Sequence, residues 1–340
     1  MTLAIVGSGL VSPVGRTTRE HAFFVRAFVP APPPSPFFTA DDEQLYVDYC
    51  PWIGAAAPIV ERLLSMASVA LEEAMLPLTD WLGADVRCPL IVCQSRARPG
   101  LGEDEQRAVE QALARSTRAT SIDRAFGDAG VFSALGQAES LLESGEGTAV
   151  IIVALDSFID VEALRAHVER PRSPWAEERI SPSEACAALI VTRRESARAS
   201  AIRILGAVID SAVTLGAARD DNDELVDGAG LTSAVRALRP DRPIHLAFGQ
   251  AAVDGLRARE WSLCAARIAD SHLDPECSFV TFEEAVGGIG AASGAASIVY
   301  ALSQFRHRII RKKAALHAPF LAWAISPDGT RGVARLAATT

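Results

Sequence analysis

Nowhere does the chain reach the ~18 uninterrupted apolar residues that a membrane-spanning helix needs, so the sequence predicts no such helix. The opening Met1-Thr2-Leu3-Ala4-Ile5-Val6 lacks a basic segment and quickly meets Gly7 and Gly9. That excludes a secretory signal peptide and places the protein in the cytoplasm as an expectation. The cysteines (Cys50, Cys88, Cys93, Cys186, Cys264 and Cys277) form no Cys-x-x-Cys pair and keep no regular spacing. Most lie in apolar surroundings, where cysteine behaves as a small hydrophobe, so neither a metal site nor a disulfide framework is expected. Positive charge is in deficit, 33 Lys and Arg against 42 Asp and Glu for a net −9. This argues against general nucleic-acid binding.

Some apparent motifs also fall short. Gly7-Ser8-Gly9-Leu10-Val11-Ser12 follows a strand pattern, but Ser12 replaces the third glycine of a dinucleotide fingerprint. Pro13 then spoils a helix start that could cradle a pyrophosphate, so no cofactor is expected. Cys93 ends an apolar run and reads as packing. The six histidines are scattered, and none lies in a motif.

What is present is ample. A chain of 340 residues buries roughly 75% of its unfolded surface, and 49% hydrophobic with 22% charged residues is ordinary for a globular protein. Short apolar runs at Leu3–Val6, Leu90–Cys93, Ala149–Ala154, Ala185–Val191, Ile202–Val208, Pro243–Ala247 and Leu321–Ile325 predict strands buried on both faces. Helical periodicity lies between them at Ala57–Met75, Glu105–Ser116, Gly130–Glu143, Gly228–Leu238, Leu256–Ala269 and Gly290–Phe305. The alternation implies βαβ units and a mostly parallel, covered sheet.

Punctuation supports this order. Pro30 to Pro36 reads as a stiff connector leading into an irregular cap, Arg170–Ser183 as a loop, and Asp328-Gly329 as a hairpin turn. A basic cluster, Arg306, Arg308, Arg311, Lys312 and Lys313, caps a helix C-terminus or forms a docking spot for an acidic partner. Two helices rich in small residues, Gly127–Leu142 and Gly287–Leu302, suggest central helices in a duplicated fold.

Four segments carry a family resemblance. Ile5 to Gly15 is similar to the first strand and turn of the β-ketoacyl synthases, condensing enzymes of the thiolase superfamily. Asp128-Ala129-Gly130-Val131-Phe132-Ser133-Ala134-Leu135 resembles their nucleophile segment. Ser183-Glu184-Ala185-Cys186-Ala187-Ala188-Leu189 resembles their small-residue segment, and Gly287 to Gly294 the opening of their last long helix. The resemblance runs from about residue 3 to residue 336. It implies the five-layered αβαβα thiolase fold with two pseudo-symmetric halves, residues 1–195 (with a cap insertion at about 28–56) and 196–340.

Family chemistry needs a cysteine at a helix N-terminus and two histidines. The resemblance places Asp128 at the cysteine, Phe248 at the first histidine and Gly288 at the second. The loop that lends an oxyanion N–H becomes Ser326-Pro327-Asp328-Gly329-Thr330, where proline has none to give. Phe132, Glu184 and Gly287 are then expected around a vestigial pocket, with Asp128 serving as a helix cap worth about 1 kcal/mol. The implied protein is a non-catalytic scaffold or adaptor, paired as a homodimer or as a heterodimer with a condensing enzyme. The resemblance implies pairing through strands near the centre. Alternatives are a chain-length-factor-like subunit meeting an acyl carrier protein, an adaptor for a secreted type VI effector, and a divergent acyltransferase.

Overall fold

The computed structural model of the protein describes residues 2–25, 27, 35–39, 42–169, 180–216, 227–239, 242–250, 255–310, 315 and 318–339. Pro30 to Pro34 of the proline connector, parts of the 28–56 insertion, residues 170–179 of the long loop and Arg311 to Lys313 of the basic cluster lie outside these.

The first half contains β1 (Leu3–Val11), α1 (Thr18–Phe24), α2 (Ile59–Leu82), β2 (Leu90–Gln94), α3 (Glu103–Thr117) and β3 (Ile122–Phe126). It continues with α4 (Gly130–Ser144), β4 (Ala149–Ser157), α5 (Val161–Glu169), β5 (Glu184–Arg193) and α6 (Arg194–Ala199). The second half contains β6 (Gly206–Leu215), α7 (Ala229–Ala237), β7 (Ile244–Gly249), α8 (Gly255–His272) and β8 (Leu273–Thr281). It closes with α9 (Glu283–Val286), a short 3-10 turn at Gly290–Ala292, α10 (Ser293–Arg306), β9 (Phe320–Ile325) and β10 (Thr330–Ala338).

The strand order is β3-β2-β4-β5-β1-β6-β10-β9-β7-β8. Numbering the strands within each half gives 3-2-4-5-1 twice, joined back to back at β1 and β6. Directions repeat as well: β2 is parallel to β3 and β4, as β7 is to β8 and β9. In each half the remaining neighbours are antiparallel, β4 to β5 and β5 to β1, matched by β9 to β10 and β10 to β6. β1 and β6 also pair antiparallel. The sheet is therefore mixed rather than mostly parallel. The antiparallel strands β1, β4 and β5 are buried on both faces, which is why their apolar runs read like parallel ones, whereas β6 is open to solvent from Ile209 onward.

Alternation along the strands sorts the core into layers. Leu3, Ile5 and Leu10 of β1, Val150 and Ile152 of β4, and Phe320, Ala322 and Ala324 of β9 face one central core that contains α4 and α10. The other face of the first half packs on α2 and α3. That of the second half packs on α7 and α8, where Trp261 stacks on Trp323 at 5.2 Å. Helix layers thus lie outside, between and outside the two half-sheets, giving αβαβα.

Gly7 and Gly9 sit inside β1, where a Cβ would collide with the carbonyls of Ala74 and Ala70 on α2. They permit a helix to lie directly on a strand and are no phosphate cradle. Among the described residues, no helix is long and apolar enough to cross a membrane.

Candidate functional site

Asp128 lies in the turn between β3 and α4 and is 5% exposed. It does not cap the helix: the N-cap residue is Ala129, and no side chain bonds there as a cap. The Asp128 Oδ2 instead accepts hydrogen bonds from Gln250 Nε2 at 2.7 Å and Arg257 Nη2 at 2.6 Å. Arg257 Nη1 donates to Glu283 Oε2 at 3.2 Å, and the Ser293 hydroxyl donates to the other Glu283 oxygen. Gln250 follows β7, Arg257 lies on α8, Glu283 on α9 and Ser293 on α10. One side chain from the first half is thereby held by two from the second, with Glu283, itself held by Ser293, fixing Arg257 behind them.

The group carries two carboxylates against one guanidinium. Burial raises the Asp128 carboxyl to about 6 from its ordinary 3.8; Arg257 opposes this, and Glu283 and Asp156 reinforce it. A carboxylate clamped by an arginine is a weak nucleophile and has no thiol's capacity to carry an acyl group.

The starts of the central helices are also secured across the halves. The Ala129 amide donates to Ser326 Oγ at 2.9 Å, just beyond β9. Reciprocally, the Ala291 amide donates to Asp156 Oδ2 at 3.1 Å, on β4. The fourth strand of each half thus supplies an acceptor to the central helix of the other. Arg98 Nη2 neutralises Asp156 at 2.7 Å. Ser326 to Thr330 makes the expected tight turn, and the serine engages an amide of the kind that an oxyanion would require.

The remaining expected positions are spread around this cluster. Phe248 is buried in the central core, edge-on to Phe320 at 5.5 Å and Tyr300 at 6.3 Å. Phe132 is buried in the same core. Gly288 is tied into backbone, donating to the Ser181 carbonyl at 2.9 Å and accepting from the Ser183 amide at 3.1 Å. Gly287 precedes it, with Asp48 close by.

Glu184 belongs to a separate buried knot. Arg62 grips both of its oxygens at 2.8 and 2.6 Å, and the Cys50 amide and Ser157 hydroxyl add bonds at 2.7 and 2.8 Å. The structure therefore gives Glu184 a fixing role between α2 and β5. Sequence reasoning missed Arg257 and Glu283, although a buried aspartate demands a cation somewhere. It also missed His21, whose ring bonds Ser12 Oγ at 2.8 Å and the Thr17 carbonyl at 2.7 Å and is held neutral by burial.

No protein-family model and no curated protein matches the chain. Solved structures do. The ishigamide ketosynthase/chain length factor superposes over 100% of both chains with TM-score 0.74 and 19% identity. The type II polyketide synthase ketosynthase AntDE, solved with its acyl-carrier protein AntF, gives 0.78 at 12% identity over 99% of each chain. The chain has the thiolase-like ketosynthase fold. The ketosynthase from module 6 of the bacillaene synthase of Bacillus subtilis 168 gives 0.74 at 14% identity, covering 100% of this chain and 72% of that one. On this ketosynthase fold, the two helices that meet the Asp128 cluster, α4 and α10, are the buried central pair.

Proposed function

We propose that this protein is a non-catalytic relative of the ketosynthases that acts in the cytoplasm through a protein partner. The observation that carries the reading is Asp128, standing where the resemblance expects the nucleophile and tied to Arg257 and Gln250. Phe248 and Gly288, at the expected histidine positions, cannot transfer protons. Cys93 offers no substitute, since burial raises its thiol to about 12. No condensation follows from such a set.

A chain-length-factor-like role is favoured among the partnered ones. It is supported by full-length likeness to a ketosynthase/chain length factor. It is also supported by the position of β3, an end strand of the sheet with Ile122 42% exposed. The centre of the sheet is already occupied, because β1 and β6 pair within the chain. This supports docking at the ends of the sheet over docking through the strands near its centre.

The activity claim is tested by incubating the protein with acyl and malonyl thioesters and measuring its intact mass. No mass gain is expected; an adduct on Cys93 or Asp128 overturns the reading. Affinity purification from the host separates the partner readings. A condensing enzyme or acyl carrier protein supports the chain-length role, and a secreted toxin supports an adaptor.

A further inference from the structure

Positive charge collects at the end of α10 remote from Asp128. The helix has 14 residues, so at a rise of about 1.5 Å each its C-terminus lies about 20 Å from its N-terminus. There Arg306 and Arg308 are exposed, as are Arg19 on α1 and Arg203 between α6 and β6. His307 lies among them: its charged form is disfavoured first by partial burial, then by Arg306, Arg19 and Arg203. The Phe23 ring rests against His307 at 5.5 Å, and Phe23 and Phe24 are 46% and 49% exposed.

Helix capping explains Arg306, which sits at a C-terminus where cations are favoured. It does not explain Arg19, in the first turn of α1 where the dipole disfavours a cation, nor Arg203 in a connection. Among the described residues, no ion pair is formed by Arg19, Arg203 or Arg308. The whole chain carries −9, so this is a positive island on an acidic molecule, with the Phe23 ring set into it and exposed Phe24 next to it on α1.

We propose that this patch is a docking surface for an acidic polypeptide segment that also carries apolar side chains. Its carboxylates meet Arg19, Arg203 and Arg308, while its apolar groups pack on Phe23 and Phe24. A compact segment senses the island alone. A flat anionic membrane would also face the surrounding acidic surface within a screening length of about 8 Å, which disfavours it. The proposal rests on the reading that the protein acts through a protein partner, and its surface lies away from the Asp128 cluster.

The test uses the full chain and a fluorescent Glu-rich helical peptide with Leu at every fourth position, followed by anisotropy. Wild type should bind it, with affinity falling as salt rises, and should ignore the same peptide with Gln for Glu. Arg19→Glu with Arg203→Glu, both exposed, should weaken binding about tenfold or more, because like charges then face each other. Phe23→Ser should weaken it severalfold without changing the salt dependence, and circular dichroism should show both variants folded. Three results would each overturn the proposal: no binding by wild type, unchanged affinity in the charge-reversed variant, or tighter capture by phosphatidylglycerol vesicles than by the peptide.

Discussion

At the scale of single residues, Asp128 is a joint. Asp128 is 129 positions from the arginine that holds it, and the two lie in different halves of the chain. Its raised carboxyl has a direct consequence for stability. Between pH 4 and 6 the folded protein binds this proton more tightly than the unfolded chain does, so the Asp128 contribution falls as pH rises through that window. Above about pH 6 the contribution is constant. Asp128→Asn removes this titration. The stability of the variant relative to wild type should therefore rise by about 3 kcal/mol from pH 4 to pH 6.5, at about 1.4 kcal/mol per pH unit between the two values. Denaturant melts at several pH values measure it; a constant difference would mean that Asp128 does not titrate in this range.

Among the elements, the closest approaches are made by the smallest residues. β1 carries Gly7 and Gly9 because α2 lies against its backbone. Gly9→Val would force atoms into the Ala70 carbonyl and should cost about 3 kcal/mol, read from the urea midpoint. A value within about 0.5 kcal/mol, as for ordinary surface positions, would mean that α2 is not seated as described.

The elements also show where the sequence was legible. Strands in the middle of each half-sheet, such as β4 and β5, are apolar on both faces and stood out. β3 and β8 did not, because end strands alternate with charge: Asp123 and Arg124 in one, Asp274 and Glu276 in the other. β10 was legible only through the hairpin turn at Asp328-Gly329, because Arg331 and Arg335 interrupt its apolar pattern; both are buried, with charges matched by Glu260 and Asp210. Sequence pattern sees polarity and cannot see the partner that neutralises it.

For the whole molecule, the repeated 3-2-4-5-1 order and the reciprocal bonds from Ser326 and Asp156 describe two halves that secure each other's central helix. The family resemblance assigned Asp128, Phe248 and Gly288 to the expected catalytic positions. It could not foresee that Asp128 would bind Arg257 rather than cap α4, because that contact exists only once α8 packs beside α4.

The measurement that tests this account most directly is the unfolding free energy of Arg257→Met at pH 7, alone and combined with Asp128→Asn. Removing the guanidinium alone leaves Asp128 and Glu283 as uncompensated buried carboxylates, and should cost about 3–5 kcal/mol. Neutralising Asp128 in the same chain should recover at least half of that loss. If Arg257→Met stays within about 1 kcal/mol of wild type, or the second substitution recovers nothing, the ionic joint between the halves is contradicted.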